Sequence, residues 1–460
     1  MSSRTIVRAF NCTLTICLLV AVSAATARTA LAGNYRIGAV GGVVILNDGV
    51  VRNATVDQHA ALAKMRREDF TRPTGELKRA VELRKISLAA LESACTHFLT
   101  ANNGVLPDEI KYLGGLQRIQ YVFVYPEQND IVLAGPAEAW RIDDAGNVVG
   151  ETTGRPVLQL DDLIVALRTV NNARQGGISC SINPTADGMQ RLNELLERQR
   201  SVGLTSQNRP QLERAMKQAF GPQQISLNGV PVNSHFARVL VAADYRMKRL
   251  AMNLDDSPVR DFPSYVELVK KNPAEARTTN PRWWMACNYE PLARSEDGLA
   301  WELRGQGVKC LTENDIIAAD GTARATGETS PIAEEWAELM TAKFDELAAD
   351  EPVFAQLRNV MDFCVVAAMI DQHGLIARAG CSLPVLTGTS GELEPEYWHA
   401  PRTVPPECSF MKTRKGWIVT TSGGVQIESF RFASRVETSG AVGQVRSSAG
   451  TPDGNTWWWN

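Results

Sequence analysis

The chain reads as an α+β protein: a duplicated helix–hairpin–helix–strand unit with mostly antiparallel sheets, then a helical segment and a C-terminal hairpin. Three observations predict this. Period-two runs such as Ile119, Tyr121, Phe123 and Tyr125 alternate along the chain with residues at helical spacing such as Leu88, Leu91, Cys95 and Phe98. Turn residues separate consecutive apolar runs, as antiparallel pairs require. Short patterns in the first third then recur in the same order between residues 210 and 311. With 460 residues, 44% hydrophobic and 22% charged, the composition is that of a globular protein long enough for two or three domains. A formal charge of -3 excludes the basic footprint of a typical nucleic-acid binder.

Residues 1–32 read as a secretory signal peptide. Arg4 and Arg8 precede an apolar stretch from Thr13 to Ala25, and two small-residue sites follow at Ala25-Thr26-Ala27 and Ala30-Leu31-Ala32. That stretch is short of the ~20 residues needed to span a bilayer. Cleavage after Ala32 removes three of the 48 basic residues and none of the 51 acidic ones, taking the net charge from -3 to -6. The expected location is outside the cytoplasm, periplasmic or extracellular, with no membrane span left after cleavage. Export makes disulfides expected among the cysteines that remain.

Residues 33–204 are expected to hold an N-terminal hairpin and the first α+β unit. Val43-Val44-Ile45 and Val50-Val51 flank Asp48-Gly49, a hairpin turn pair. The mixed charges of 56–85 mark a solvated helix face. Leu77, Val81, Leu88, Leu91, Cys95 and Phe98 predict the next helix, Ile119–Leu133 a hairpin turning at Pro126–Asp130, and Leu158–Leu167 a helix with Asp161 and Asp162 at its favourable N-terminal end.

Residues 205–328 are expected to repeat the unit. Leu212–Met216 echoes Leu77–Val81, Leu227–Val230 echoes Leu113–Leu116, and a strand Val239-Leu240-Val241 echoes Val122-Phe123-Val124, which places Asp244 at a strand end. Pro263–Val269 echoes Pro156–Ile164, and Cys180-x-x-x-Pro184 matches Cys287-x-x-x-Pro291. Residues 329–433 then supply helices broken near Pro352, a proline-rich loop over 387–409, and a last hairpin made by Trp417–Thr421 and Val425–Phe432. Gly423–Ile427 is similar to Gly41–Ile45, so the two ends are expected to pair. Residues 434–460, rich in Gly and Ser, are expected to be a disordered tail ending in Trp457-Trp458-Trp459.

The run Tyr121–Trp140 (YVFVYPEQNDIVLAGPAEAW), with Ala243–Lys248 and Gly423–Ile427, resembles a family of exported planctomycete proteins known as a domain of unknown function. The similarity runs from about Gly38 to Phe432. It implies export and one architecture, and it brings no activity, ligand or catalytic residue.

No metalloprotease, P-loop, nucleophile-elbow, EF-hand or paired C-x-x-C motif occurs, and no cofactor is expected. The densest polar group, Ser234-His235 with Asp244 and the basic residues after it, offers a hydroxyl, an imidazole and a carboxylate for acid–base or nucleophilic work. Its structural alternative is an ion-pair network in which Asp244 meets Arg246 or Lys248. Cys364, His373, Cys381, His399 and Cys408 cluster in sequence without zinc spacing, so a disulfide among them is the favoured reading over a metal. Trp283, Trp284, Trp398, Trp457, Trp458 and Trp459 are candidate binding residues that could stack on sugars or dock a partner, Trp283-Trp284 also fitting a core strand. The function class expected is an exported non-enzymatic protein that binds or organises cell-envelope material, with an envelope polymer or another exported protein as partner. The alternative is an envelope hydrolase using Asp244 with Ser234 or His235.

Overall fold

Two seven-stranded sheets organise the fold. The first runs Ala323–Ala325, Gly307–Ile317, Pro281–Asn288, Ser422–Ile427, Ile178–Asn183, Gln223–Asn228, Thr403–Val404. The second runs Val436–Thr438, Leu292–Arg294, Ala300–Glu302, Tyr121–Tyr125, Asp130–Ala137, Val81–Ser87, Trp458–Trp459. Each contains a single parallel pair, Pro281–Asn288 with Ser422–Ile427 and Leu292–Arg294 with Val436–Thr438. This is a computed structural model describing residues 39–40, 42–101, 105–199, 209–275, 281–317, 323–391, 393–407, 409, 411–413, 416–418, 421–450 and 456–460, all within the unit Ile37–Asn460. Those residues include fifteen α-helices, and the fold is α+β. The signal-peptide reading of 1–32 lies outside them.

The local rules that predicted the simple elements hold. Asp48-Gly49 turns between Val43–Ile45 and Val51–Asn53, with Gly49 at φ +84. Tyr121–Tyr125 pairs with Asp130–Ala137 across the turn begun by Pro126. Leu160–Arg168 is helical, and Pro352 opens rather than interrupts Pro352–Gln372 because proline fits the first helical position. Alternation along Pro281–Asn288 buries Trp283 and leaves Trp284 half-buried.

Two helices lie deepest. His235–Ala251 packs on strands Ile178–Asn183 and Ser422–Ile427 and against Pro352–Gln372. Phe236, Val239, Leu240, Val241, Met247 and Leu250 of the former are buried, and each such side chain contributes roughly 1.5–3 kcal/mol. Pro352–Gln372 is long and apolar enough to cross a membrane, and its most apolar stretch is wholly buried inside the fold. Its Asp362 takes hydrogen bonds from Arg118 Nε at 3.0 Å and Tyr289 Oη at 2.6 Å, tying the helix to the segment before strand Tyr121–Tyr125 and the residue after strand Pro281–Asn288.

Several sequence expectations fail. Val239-Leu240-Val241 is helical, because a short apolar run fits a fully buried helix as well as a strand. The internal echo does not survive: Leu212–Met216 is helical whereas Leu77 lies in a 3-10 turn and Val81 starts a strand, and Val122–Val124 is strand where its counterpart is helix. The consecutive blocks also share one sheet, since 33–204, 205–328 and 329–433 all contribute strands to the first.

Among the described residues, Ser422–Ile427 forms no hairpin with Gly416–Ile418, which pairs with Met411–Thr413, and does not pair with Ala39–Val40 or Val43–Ile45. It slots between Pro281–Asn288 and Ile178–Asn183. Its two glycines fit there because a Cβ on Gly423 would stand 1.8 Å from the Trp283 carbonyl oxygen, and one on Gly424 1.9 Å from that of Cys180. The expected disordered tail is instead partly built: Gly440–Ser448 is a helix, and Trp458–Trp459 pairs antiparallel with Lys85 and Ile86 at the sheet edge.

The described cysteines, Cys95, Cys180, Cys287, Cys310, Cys364 and Cys381, are all free thiols, while Cys408 lies outside the described residues. A disulfide between Cys364 and Cys381 is therefore not formed. Burial, with Glu92 nearby, pushes the Cys95 thiol up to about 12, and burial raises Cys287 to the same value. These side chains serve as small core residues.

Candidate functional site

The predicted catalytic group is carried by helix His235–Ala251. Ser234 is its N-cap: its hydroxyl accepts from the Ala237 amide at 3.1 Å and donates to the Pro231 carbonyl at 2.7 Å. His235 follows at the first turn, buried, with Nδ1 2.9 Å from Asp162 and Nε2 3.2 Å from the Gln159 amide nitrogen. Asp162 comes from the first turn of Leu160–Arg168, so two helix starts meet here. The Trp398 ring covers the imidazole at 5.4 Å and lies under the Arg238 guanidinium at 4.7 Å. Burial, with Arg66 nearby, lowers Arg238 to about 9. The segment carrying Trp398 is fastened by Trp398 N to the Asn233 carbonyl at 2.8 Å and by Glu396 N to Asp161 at 3.1 Å. Burial, then the Glu396 charge, raises Asp161 to about 6.

Asp244 stands nine residues beyond His235, which is ~13 Å along the axis and on the opposite side of the helix. Its Oδ2 accepts from the Ile182 amide at 2.9 Å and from Lys248 Nζ at 3.0 Å, and Lys248 also donates to the Gly423 carbonyl at 3.1 Å. This ion pair bolts the helix to two strands of the first sheet. Burial raises Asp244 to about 6 against the pull of Lys248, and burial lowers Lys248. The expected partner Lys248 is therefore confirmed, at i+4 on a helix. Asp244, fully buried, cannot meet a substrate together with Ser234 or His235. The catalytic constellation is not assembled.

A second polar chain begins one residue on. Tyr245 Oη donates to Glu407 at 3.1 Å, and Arg249 reaches Glu407 at 2.7 Å while clasping Asp255 with bonds of 2.8 and 2.7 Å. Arg246 joins Asp255 and Glu351. Burial alone would raise Asp255, but Arg249 and Arg246 bring it below its ordinary value. Sequence reasoning missed Asp255, Glu351 and Glu407, because their partners lie up to 162 residues away. The one legible signal was the spacing of Tyr245, Arg246 and Arg249 on a single helix.

Asp255 leads out to an open groove of about 830 Å³. The end of helix His235–Ala251, the connection 253–264, and helices Tyr265–Lys271 and Pro331–Ala342 form its walls. Buried Leu250, Val259, Phe262 and Leu268 back it, half-buried Leu339 gives it apolar surface, and Asp256, Asp261, Glu335, Lys270 and Lys271 give it exposed charge. Asn253 and Asp261 sit in the left-handed region at φ 55 and 59, a conformation held by its surroundings at a concave site.

The aromatic candidates go elsewhere. Trp283 is a core residue donating to the Ala333 carbonyl at 3.0 Å, and Trp284 faces Arg282. Trp398 is buried over His235. Trp457 is buried, Trp458 lies against Arg84 at 5.3 Å, and Trp459 lies near Lys85 at 5.9 Å and donates to the Ala449 carbonyl at 3.1 Å. None of the six lines the groove. Among the described residues no group of three or more His, Cys, Asp and Glu is placed to hold a metal ion.

Residues 180–265 match a family described as a protein of unknown function, DUF1598. The matched span starts at Cys180, includes the whole of helix His235–Ala251, and ends on the groove wall at Tyr265. No curated protein and no solved structure matches the chain.

Proposed function

We propose that the chain is an exported, non-enzymatic protein that binds or organises cell-envelope material, and that the groove beside Asp255 is the contact. The observation that carries this reading is the groove itself: it is the large open concavity at the end of the family-matched span, with charged and apolar walls in the size range of ligand sites. The leader-like start of the sequence and its resemblance to exported planctomycete proteins support the location. Retention by isolated envelope material, read by sedimentation, tests the reading. Saturable retention that falls at least tenfold in Leu339→Trp is expected, and retention equal in the two proteins would remove the groove from it.

An envelope hydrolase is the second reading, and one observation favours it. Asp162 on His235 Nδ1 is the arrangement that orients an imidazole as a general base. Against it stand the burial of His235 and the capping role of Ser234. Fragment release above a heat-inactivated control, abolished by His235→Gln, would establish it. No release is expected.

A further inference from the structure

We infer that the groove takes a short zwitterionic peptide, bearing an ammonium, a carboxylate and an apolar side chain, rather than a glycan. The inference rests on the groove reading above and names its ligand class.

Some of the charges at the groove are already engaged. Asp255 is held by Arg246 and Arg249, and Glu267 caps its own helix, accepting from the Ser264 amide at 2.9 Å. Asp261 has only the exposed Arg260 at 4.0 Å. Asp256 on the connecting loop, Glu335 on helix Pro331–Ala342, and Lys270 and Lys271 at the end of helix Tyr265–Lys271 line the same groove and are exposed; the two lysines help hold the Glu267 carboxyl down from one turn away, and among the described residues none of the four makes a direct ion pair. Three carboxylates and two ammonium groups therefore border the half-buried Leu339 within one concavity, since a contact as long and exposed as that of Asp261 with Arg260 leaves Asp261 available.

Complementarity then discriminates between ligands. A polyanion would meet Asp256 and Glu335, and a polycation would meet Lys270 and Lys271. A neutral sugar chain would leave all four unmatched. Sugars also favour an exposed aromatic face, and the single aromatic among the described lining residues, Phe262, is 4% exposed. A short peptide places opposite charges at its two ends and an apolar side chain between them, which matches acids on two walls, lysines on a third and the half-buried Leu339 between them.

The test uses calorimetric titration of the full chain with lysyl-leucyl-glutamate, with N-acetyl-leucinamide as the uncharged analogue, and with the tetrasaccharide of N-acetylglucosamine. Saturable binding of the tripeptide is expected, about tenfold weaker for the uncharged analogue and for the double variant Glu335→Gln, Lys271→Gln. It should weaken with added salt and disappear in Leu339→Trp. The double variant changes only exposed side chains, so it remains informative if Leu339→Trp fails to fold. Tetrasaccharide binding without tripeptide binding would overturn the inference, as would tripeptide binding indifferent to the double variant. Envelope retention lost in Leu339→Trp without any tripeptide binding would leave the groove reading standing and remove the peptide. Tripeptide binding lost in Leu339→Trp with retention intact would keep the peptide site and remove the envelope reading.

Discussion

The two ends of helix His235–Ala251 use polar side chains in opposite ways. At its start, His235 lies against the Trp398 ring and is bound to Asp162, while the Ser234 hydroxyl is taken up in capping the helix. At its end, Leu250 borders an open groove whose Asp256, Glu335 and lysines face solvent. The residues with the most reactive chemistry are the enclosed ones, and the groove is lined by ordinary ones. Side-chain type thus misleads here, and access decides which end can meet a ligand.

The largest test of that contrast is Lys248→Met, which strands Asp244 in the core. A loss of about 3–5 kcal/mol in urea unfolding is expected, and a loss below about 1 would mean that water reaches this part of the helix. Asp161→Asn tests the covered start through pH. An acid raised from 3.8 to about 6 in the fold costs stability as pH rises through that window, and the cost persists above it. Allowing for its partial exposure, the variant should be more stable than the parent by about 2 kcal/mol at pH 7.5 and equal to it near pH 4. A difference independent of pH would contradict the rise that burial, then the Glu396 charge, imposes on Asp161. Ser234→Ala should cost about 1 kcal/mol through the lost cap, measured by thermal unfolding. No change would free that hydroxyl for another role and blur the contrast. Glu335→Gln, on the open side, should alter stability by less than about 0.5 kcal/mol while lowering envelope retention. A larger stability loss would place Glu335 among the structural groups.

What was legible in the sequence is what local rules decide. Asp48-Gly49, the alternation of Tyr121–Tyr125 and Pro352 each specify a turn, a strand or a helix start within a few residues. Helix His235–Ala251 escapes the sequence because the short apolar run Val239–Val241 fits a buried strand as well as a buried helix, although Ser234 supplied a start signal. The tail was misread because glycine and serine content says nothing about where three tryptophans will dock. Arg84, which meets Trp458, is 374 residues from it in sequence. The groove had no motif, because its acids and lysines come from three separate elements brought together by the packing of Pro331–Ala342 against Tyr265–Lys271.

The position of Ser422–Ile427 sets a timetable for synthesis. Until those residues leave the ribosome, the ladder containing Trp283 and the ladder containing Cys180 are two half-sheets with raw edges, and neither can close. The contacts that join them span more than a hundred residues, the kind of topology that folds slowly. A nascent chain therefore stays unfinished for most of its translation.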